Sequence, residues 1–139
     1  MKRRRAGQAG QALVESSIAL GIFLVLLIGT IDLGRAVYQY NAVAQAAREI
    51  ARVTSVHPGG TLGASTQTVA TVASQRGLVP GLSVSSYGCV DIAGTPISGT
   101  CHPGSWVRVT VSSRFEPVLP LLVPLGPIDF TSSGSAAIE

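Results

Sequence analysis

Residues 16–31, SSIALGIFLVLLIGTI, carry no charged side chain. With Ala12, Leu13 and Val14 before them and Leu33 after, the apolar stretch reaches about 20 residues, the length a helix needs to cross a bilayer. It reads as a transmembrane helix and not as a core helix. Just ahead stand Lys2, Arg3, Arg4 and Arg5. Basic residues flanking a span are held on the cytoplasmic side, so the sequence predicts a cytoplasmic N-terminus and an extracytoplasmic location for everything beyond Asp32. Four of the ten basic residues lie in the first ten positions, which leaves six against seven acidic ones, so the net charge of +3 comes from this leader. The tetrad is a topology signal, reinforced by attraction to anionic lipid, and gives no reason to expect nucleic acid as a partner.

One carboxylate interrupts the apolar pattern early. Glu15 is the fifth residue after Gly10, and a charge well inside hydrocarbon costs about 3 kcal/mol on insertion scales. One reading keeps it near the interface, one turn into the helix, where the positive end of the macrodipole favours a negative group.

A second reading comes from resemblance. A short basic leader, a glycine, a glutamate five residues on and then an apolar helix resembles the processing and assembly signal of type IV prepilins and pseudopilins. That resemblance implies cleavage by a prepilin peptidase between Gly10 and Gln11. It also implies that Glu15 meets the new amine of a neighbouring subunit, two charges that attract strongly in a low-dielectric layer. Ordinary type IV pilins have an aromatic residue first in the mature chain and often another after the glutamate, where this chain has Gln11 and Ser16. The chain instead resembles the TadE-like minor pilins of the tight-adherence (Tad, or Flp) pilus system, from Gly10 to Arg52, most strongly in GQALVE, IDLGRA and NAVAQAAREIAR. The implied partners are the membrane, other pilin-like subunits, the pilus assembly platform and the peptidase. A secretory signal peptide is the competing explanation of the N-terminus. Its apolar core would be unusually long, and its small-residue site, Ala42-Val43-Ala44, lies far beyond that core.

The helical pattern continues past the span. Ala36, Tyr40, Val43, Ala47 and Ile50 recur at three and four residues, one face of a helix, which leaves Gln39, Gln45, Arg48, Glu49 and Arg52 for the wetter sides. Glu49 and Arg52 can pair one turn apart, as can Asp32 and Arg35 at the outer boundary. The pattern ends near Val56, before His57-Pro58-Gly59-Gly60, giving a rod close to 70 Å long. Ser17 with Gly21, and Thr30 with Gly34, are small-xxx-small pairs of the kind that let helices approach in lipid.

Beyond the linker the composition is that of a small exported domain. A second helix is expected over residues 66–76, with Val69, Val72 and Ala73 on its inner face and Gly77 as its cap. Strands are expected over residues 82–87, 106–115 and 128–138. In the second of these Val107, Val109 and Val111 alternate with Arg108, Thr110 and Ser112. The fold class is therefore α+β and pilin-like: a basic leader (residues 1–10, cleaved if the prepilin reading holds), a long helix (11–56) and a small domain with an antiparallel sheet (57–139).

Cys89 and Cys101 are the only cysteines. A disulfide between them suits an oxidising compartment and a modest core. With His102 they make too few ligands for a zinc site, and neither thiol has an ionisable partner that would mark a nucleophile. Residues 117–127 hold four prolines among Val and Leu. They are expected either to fold over the sheet edge or to offer an apolar surface to another subunit or the membrane. His57 and His102 lack carboxylate partners, and no metal, cofactor or phosphate motif is present, so an enzyme is not expected. The expected function is structural, in pilus assembly. The alternative is a membrane-anchored module that binds an extracytoplasmic ligand or surface.

Overall fold

A computed structural model describes residues 5–58, 60–98, 101–118 and 126–138, with side chains from residue 10 onward. The order of elements is α1 (Arg5–Val56), α2 (Thr66–Leu78), β1 (Ser83–Val90), β2 (Pro96–Ile97), β3 (Trp106–Phe115) and β4 (Ile128–Ala137). The strands form one antiparallel sheet in the order β2-β1-β3-β4. The architecture is α+β: one long helix, a short one and a four-stranded sheet.

Helix α1 is unbroken over 52 residues, about 78 Å at 1.5 Å per residue. Its two halves meet different surroundings. Residues 10–31 are exposed throughout except for half-buried Gly29, whereas Val43, Ala46, Ala47, Ile50, Ala51, Thr54 and Ser55 are buried. The buried stripe is rich in alanine, so the helix backbone can lie close to β3 and β4. Val107, Val109 and Val111 supply the opposing face and are fully buried, as the alternation along β3 requires. On β4 the closest approach is made by Gly134, opposite Val109 in the register. A methyl group there would lie 2.6 Å from the backbone nitrogen of Arg48, so only glycine fits beneath the helix.

Polar links fix the packing. Buried Ser113 accepts a hydrogen bond from the Gln39 side chain at 2.6 Å and donates one to the Pro80 carbonyl at 2.6 Å. This ties α1, β3 and the turn before β1 together. Thr54 donates to the Ile50 carbonyl and meets Thr68 of α2 at 3.3 Å, both residues being fully buried. Ser65 caps α2 by accepting from the Thr68 N–H.

Several expectations are corrected. The inner face of α2 is Thr68 and Val72, while Val69 and Ala73 are exposed, because the helix is anchored through the Thr54–Thr68 contact and not by its most apolar side chains. Gly77 lies within α2, whose cap is Val79, with its N–H donated to the Gln75 carbonyl. Strand β1 reaches Val90, since Gly88, Cys89 and Val90 pair with Arg108, Val107 and Trp106, and the two-residue β2 was not expected. Gln39 points to the sheet, while Tyr40 remains exposed over much of its surface and meets Phe130 edge-on at 5.9 Å.

Candidate functional site

The feature without a counterpart in an ordinary water-soluble domain is the exposed half of α1. Ten Ile, Leu, Phe and Val side chains lie within residues 16–31, and all of them project away from the chain's own core. In water this surface is unfavourable. In hydrocarbon each such residue contributes about −0.3 to −0.6 kcal/mol near the bilayer centre, so ten of them supply about 3–6 kcal/mol, which matches or exceeds the roughly 3 kcal/mol cost of one carboxylate. The segment from residue 11 to residue 31 is about 31 Å long, against a hydrocarbon core of about 30 Å. The helix is thus long and apolar enough to cross a membrane.

Polar groups on this half are arranged for an apolar environment. The Ser17 hydroxyl donates to the Leu13 carbonyl at 2.8 Å and Thr30 to the Leu26 carbonyl at 2.9 Å, so neither leaves an unpaired donor facing lipid. Gly10, Gly21 and Gly34 have open space where a side chain would stand. Nothing in this chain's packing therefore calls for glycine at these positions. Around Gly21 the flanks of Ile18, Ile22, Val25 and Leu26 form a shallow apolar groove on the helix surface.

Gly10, Gln11 and Glu15 all lie inside the continuous helix and are exposed. Glu15 is one helical turn from Gln11, about 6 Å along the axis. Arg5 is the first residue of α1, whereas Lys2, Arg3 and Arg4 lie outside the described residues. Cys89 and Cys101 form a disulfide with Cα atoms 5.5 Å apart, joining β1 to the approach to β3 at the end of the sheet away from the apolar span. Among the described residues no group of three or more His, Cys, Asp and Glu side chains could hold a metal ion.

With that geometry in view, the comparisons with known proteins concern one region. Residues 10–52 match the family model of TadE-like proteins. Over these residues the chain is similar to TadE-like proteins. The matched segment covers the exposed apolar run and most of the stripe that packs on the sheet, so it takes in both the exposed half and the domain-bearing half of the rod. No curated protein and no solved structure gives a significant match.

Two residues at the base of the domain carry roles that sequence reasoning missed. Asp32 pairs with Arg35 at 2.8 Å as expected, but it is buried, and its second oxygen accepts the Val118 N–H at 2.8 Å. Arg35 also lies over the Phe115 ring at 5.5 Å. Gln39, read as a wet position, bonds to Ser113 and to the Arg114 carbonyl. The signal available for Asp32 was a carboxylate directly at the end of an apolar span, where an unpaired charge is costly.

Proposed function

We propose that this protein is a single-pass membrane subunit of the minor-pilin type that supports assembly of an adhesive Tad/Flp-type pilus, with its N-terminus in the cytoplasm and its α+β domain outside. The observation that carries the proposal is the exposed apolar half of α1 inside the segment that matches the TadE-like family model. A helix of this kind has a surface to offer both to lipid and to neighbouring helices. In this reading a prepilin peptidase cuts between Gly10 and Gln11, and Glu15 then pairs with the amine of an adjacent subunit. The partners are other pilin-like subunits and the assembly platform, and the role is structural, without enzymatic activity. The basic leader sets the orientation.

N-terminal sequencing of the protein recovered from membranes, together with reporter fusions at Gly60 and Glu139, tests this reading. The expected results are a mature chain beginning at Gln11 and extracytoplasmic activity at both fusion points. An N-terminus at Met1 in cells with a working prepilin peptidase, or at Gln45, rejects the processing step, and cytoplasmic activity at either fusion rejects the topology.

A further inference from the structure

The base of the domain does not stop at the end of the span but reaches down beside it. Gly29, inside the uncharged run, is the one residue among 10–31 that the domain partly covers. Together with Asp32, Leu33 and Ala36 it forms one wall of a cleft whose other wall is Phe115, Pro117, Gly126 and Ile128. If residues 11–31 fill the hydrocarbon, Gly29 lies about 3 Å below its outer edge, so the cleft begins just inside that edge and continues beyond it. Val118 is fixed at the edge through its hydrogen bond to Asp32. Val118 and Ile128 expose 63% and 45% of their surface, and Ile128 lines the same cleft as Leu33, which directly follows the apolar run.

We infer that this base is a second membrane-contact surface, a foot seated in the outer lipid interface beside the span. The occupant is lipid, because the patch is continuous with the surface already assigned to the bilayer. The inference rests on the membrane-spanning reading of α1. The chemistry of the described residues at this base agrees with it. Pro117, Gly126, Pro127 and Ile128 carry no charge, and each of the two prolines lacks a backbone N–H that would otherwise need a partner in an apolar layer. Asp32 meets the same requirement for Val118. The carboxylate at this boundary is itself paired with Arg35, which lowers the cost of holding a charge beside lipid.

The test uses the full-length protein in phosphatidylcholine vesicles. The only tryptophan is replaced by Trp106→Phe, and single tryptophans are introduced by Val118→Trp, Ile128→Trp, Leu20→Trp in the span and Ile92→Trp in the exposed distal turn. Fluorescence is compared with and without brominated lipid, and linked Cys89 and Cys101 peptides with protease resistance confirm folding of each variant. The expected result is blue-shifted emission and strong quenching for the variants at positions 20, 118 and 128, with none at 92. Quenching at 20 but at neither 118 nor 128 overturns the foot and leaves the span standing. Emission shielded from water at 118 and 128 yet untouched by brominated lipid overturns it in favour of contact with a second copy. Absence of quenching at 20 removes the span and the foot together.

Discussion

Gly134→Ala adds one methyl group at the point where β4 passes beneath α1. The new carbon would lie 2.5 Å from the Ala47 carbonyl carbon and 2.6 Å from the Arg48 nitrogen, whereas unstrained heavy-atom contacts run about 3.5–4.0 Å. The atoms in the way are backbone in the middle of a long helix and cannot rotate aside. The helix must therefore retreat from the sheet by about 1 Å, a gap that forfeits a quarter to a half of the attraction at each contact it opens. The contacts at stake are those of Val43, Ala46, Ala47 and Ile50 with Val107, Val109 and Val111. The cost belongs at the upper end of the overpacking range, about 3 kcal/mol, or a Tm lowered by about 12–24 °C for a domain of this size. Thermal unfolding of the full-length protein in detergent, followed by Trp106 fluorescence, reads it directly. Gly77→Ala is the comparison: its position is helical, exposed and free of neighbours, so alanine should raise stability by about 0.5–1 kcal/mol. A Gly134→Ala protein within about 0.5 kcal/mol of wild type would refute the close approach of helix and sheet.

Three further outcomes follow from the same structure. Reducing the Cys89–Cys101 bond should lower the stability of the domain by about 3 kcal/mol, visible as a lower Tm in reductant and as loss of the linked peptides in mass spectrometry. Asp32→Ala should cost about 1–3 kcal/mol by leaving the Val118 N–H without its acceptor, and Asp32→Asn, which keeps an acceptor, should cost less; equal stability of both with wild type would count against the buried bridge. Tyr87 lies over Gly63, whose φ is +82°, and burial raises its phenol above the usual value, with Arg76 pulling weakly the other way. Its folded-state pKa is the higher one, so the associated stability is complete below about pH 10 and is lost as pH rises through the folded value. Tyr87→Phe should accordingly lose less stability than wild type between neutral and strongly alkaline pH, and parallel pH profiles would count against this burial effect.

The large-scale organisation was legible because it rests on periodicity and charge, which are local. The uncharged run, the end of the helix at His57-Pro58 and the alternation of Val107, Val109 and Val111 each follow from neighbours in sequence. What was missed depends on tertiary packing. The stripe of Val43, Ala47 and Ile50 could have faced a neighbouring subunit or the chain's own sheet, and it faces the sheet, so charges placed there would unfold the domain before they tested assembly. The α1 surface that the sheet leaves uncovered beyond the apolar run includes Val37, Tyr38 and Asn41, all exposed. Gly134 was visible as a glycine inside a strand pattern, a known sign of close backbone approach, but its partner at Ala47 lies 87 positions earlier in the chain. The bridge from Asp32 to Val118 spans a similar separation, and no local pattern marks it. Gly10, Gln11 and Glu15 were singled out by resemblance alone, and the described chain leaves them exposed like the apolar residues around them.

The central claim is that the exposed half of α1 serves pilus assembly and not merely anchorage. It is tested most directly by counting surface Flp-type pili on a strain lacking this protein, complemented with wild type or with Glu15→Ala at matched membrane levels. The expected result is loss of pili in the deletion, recovery with wild type, and failure of Glu15→Ala despite normal insertion and domain stability. Normal pili in the deletion strain would contradict the claim and leave an anchored binding module as the better description.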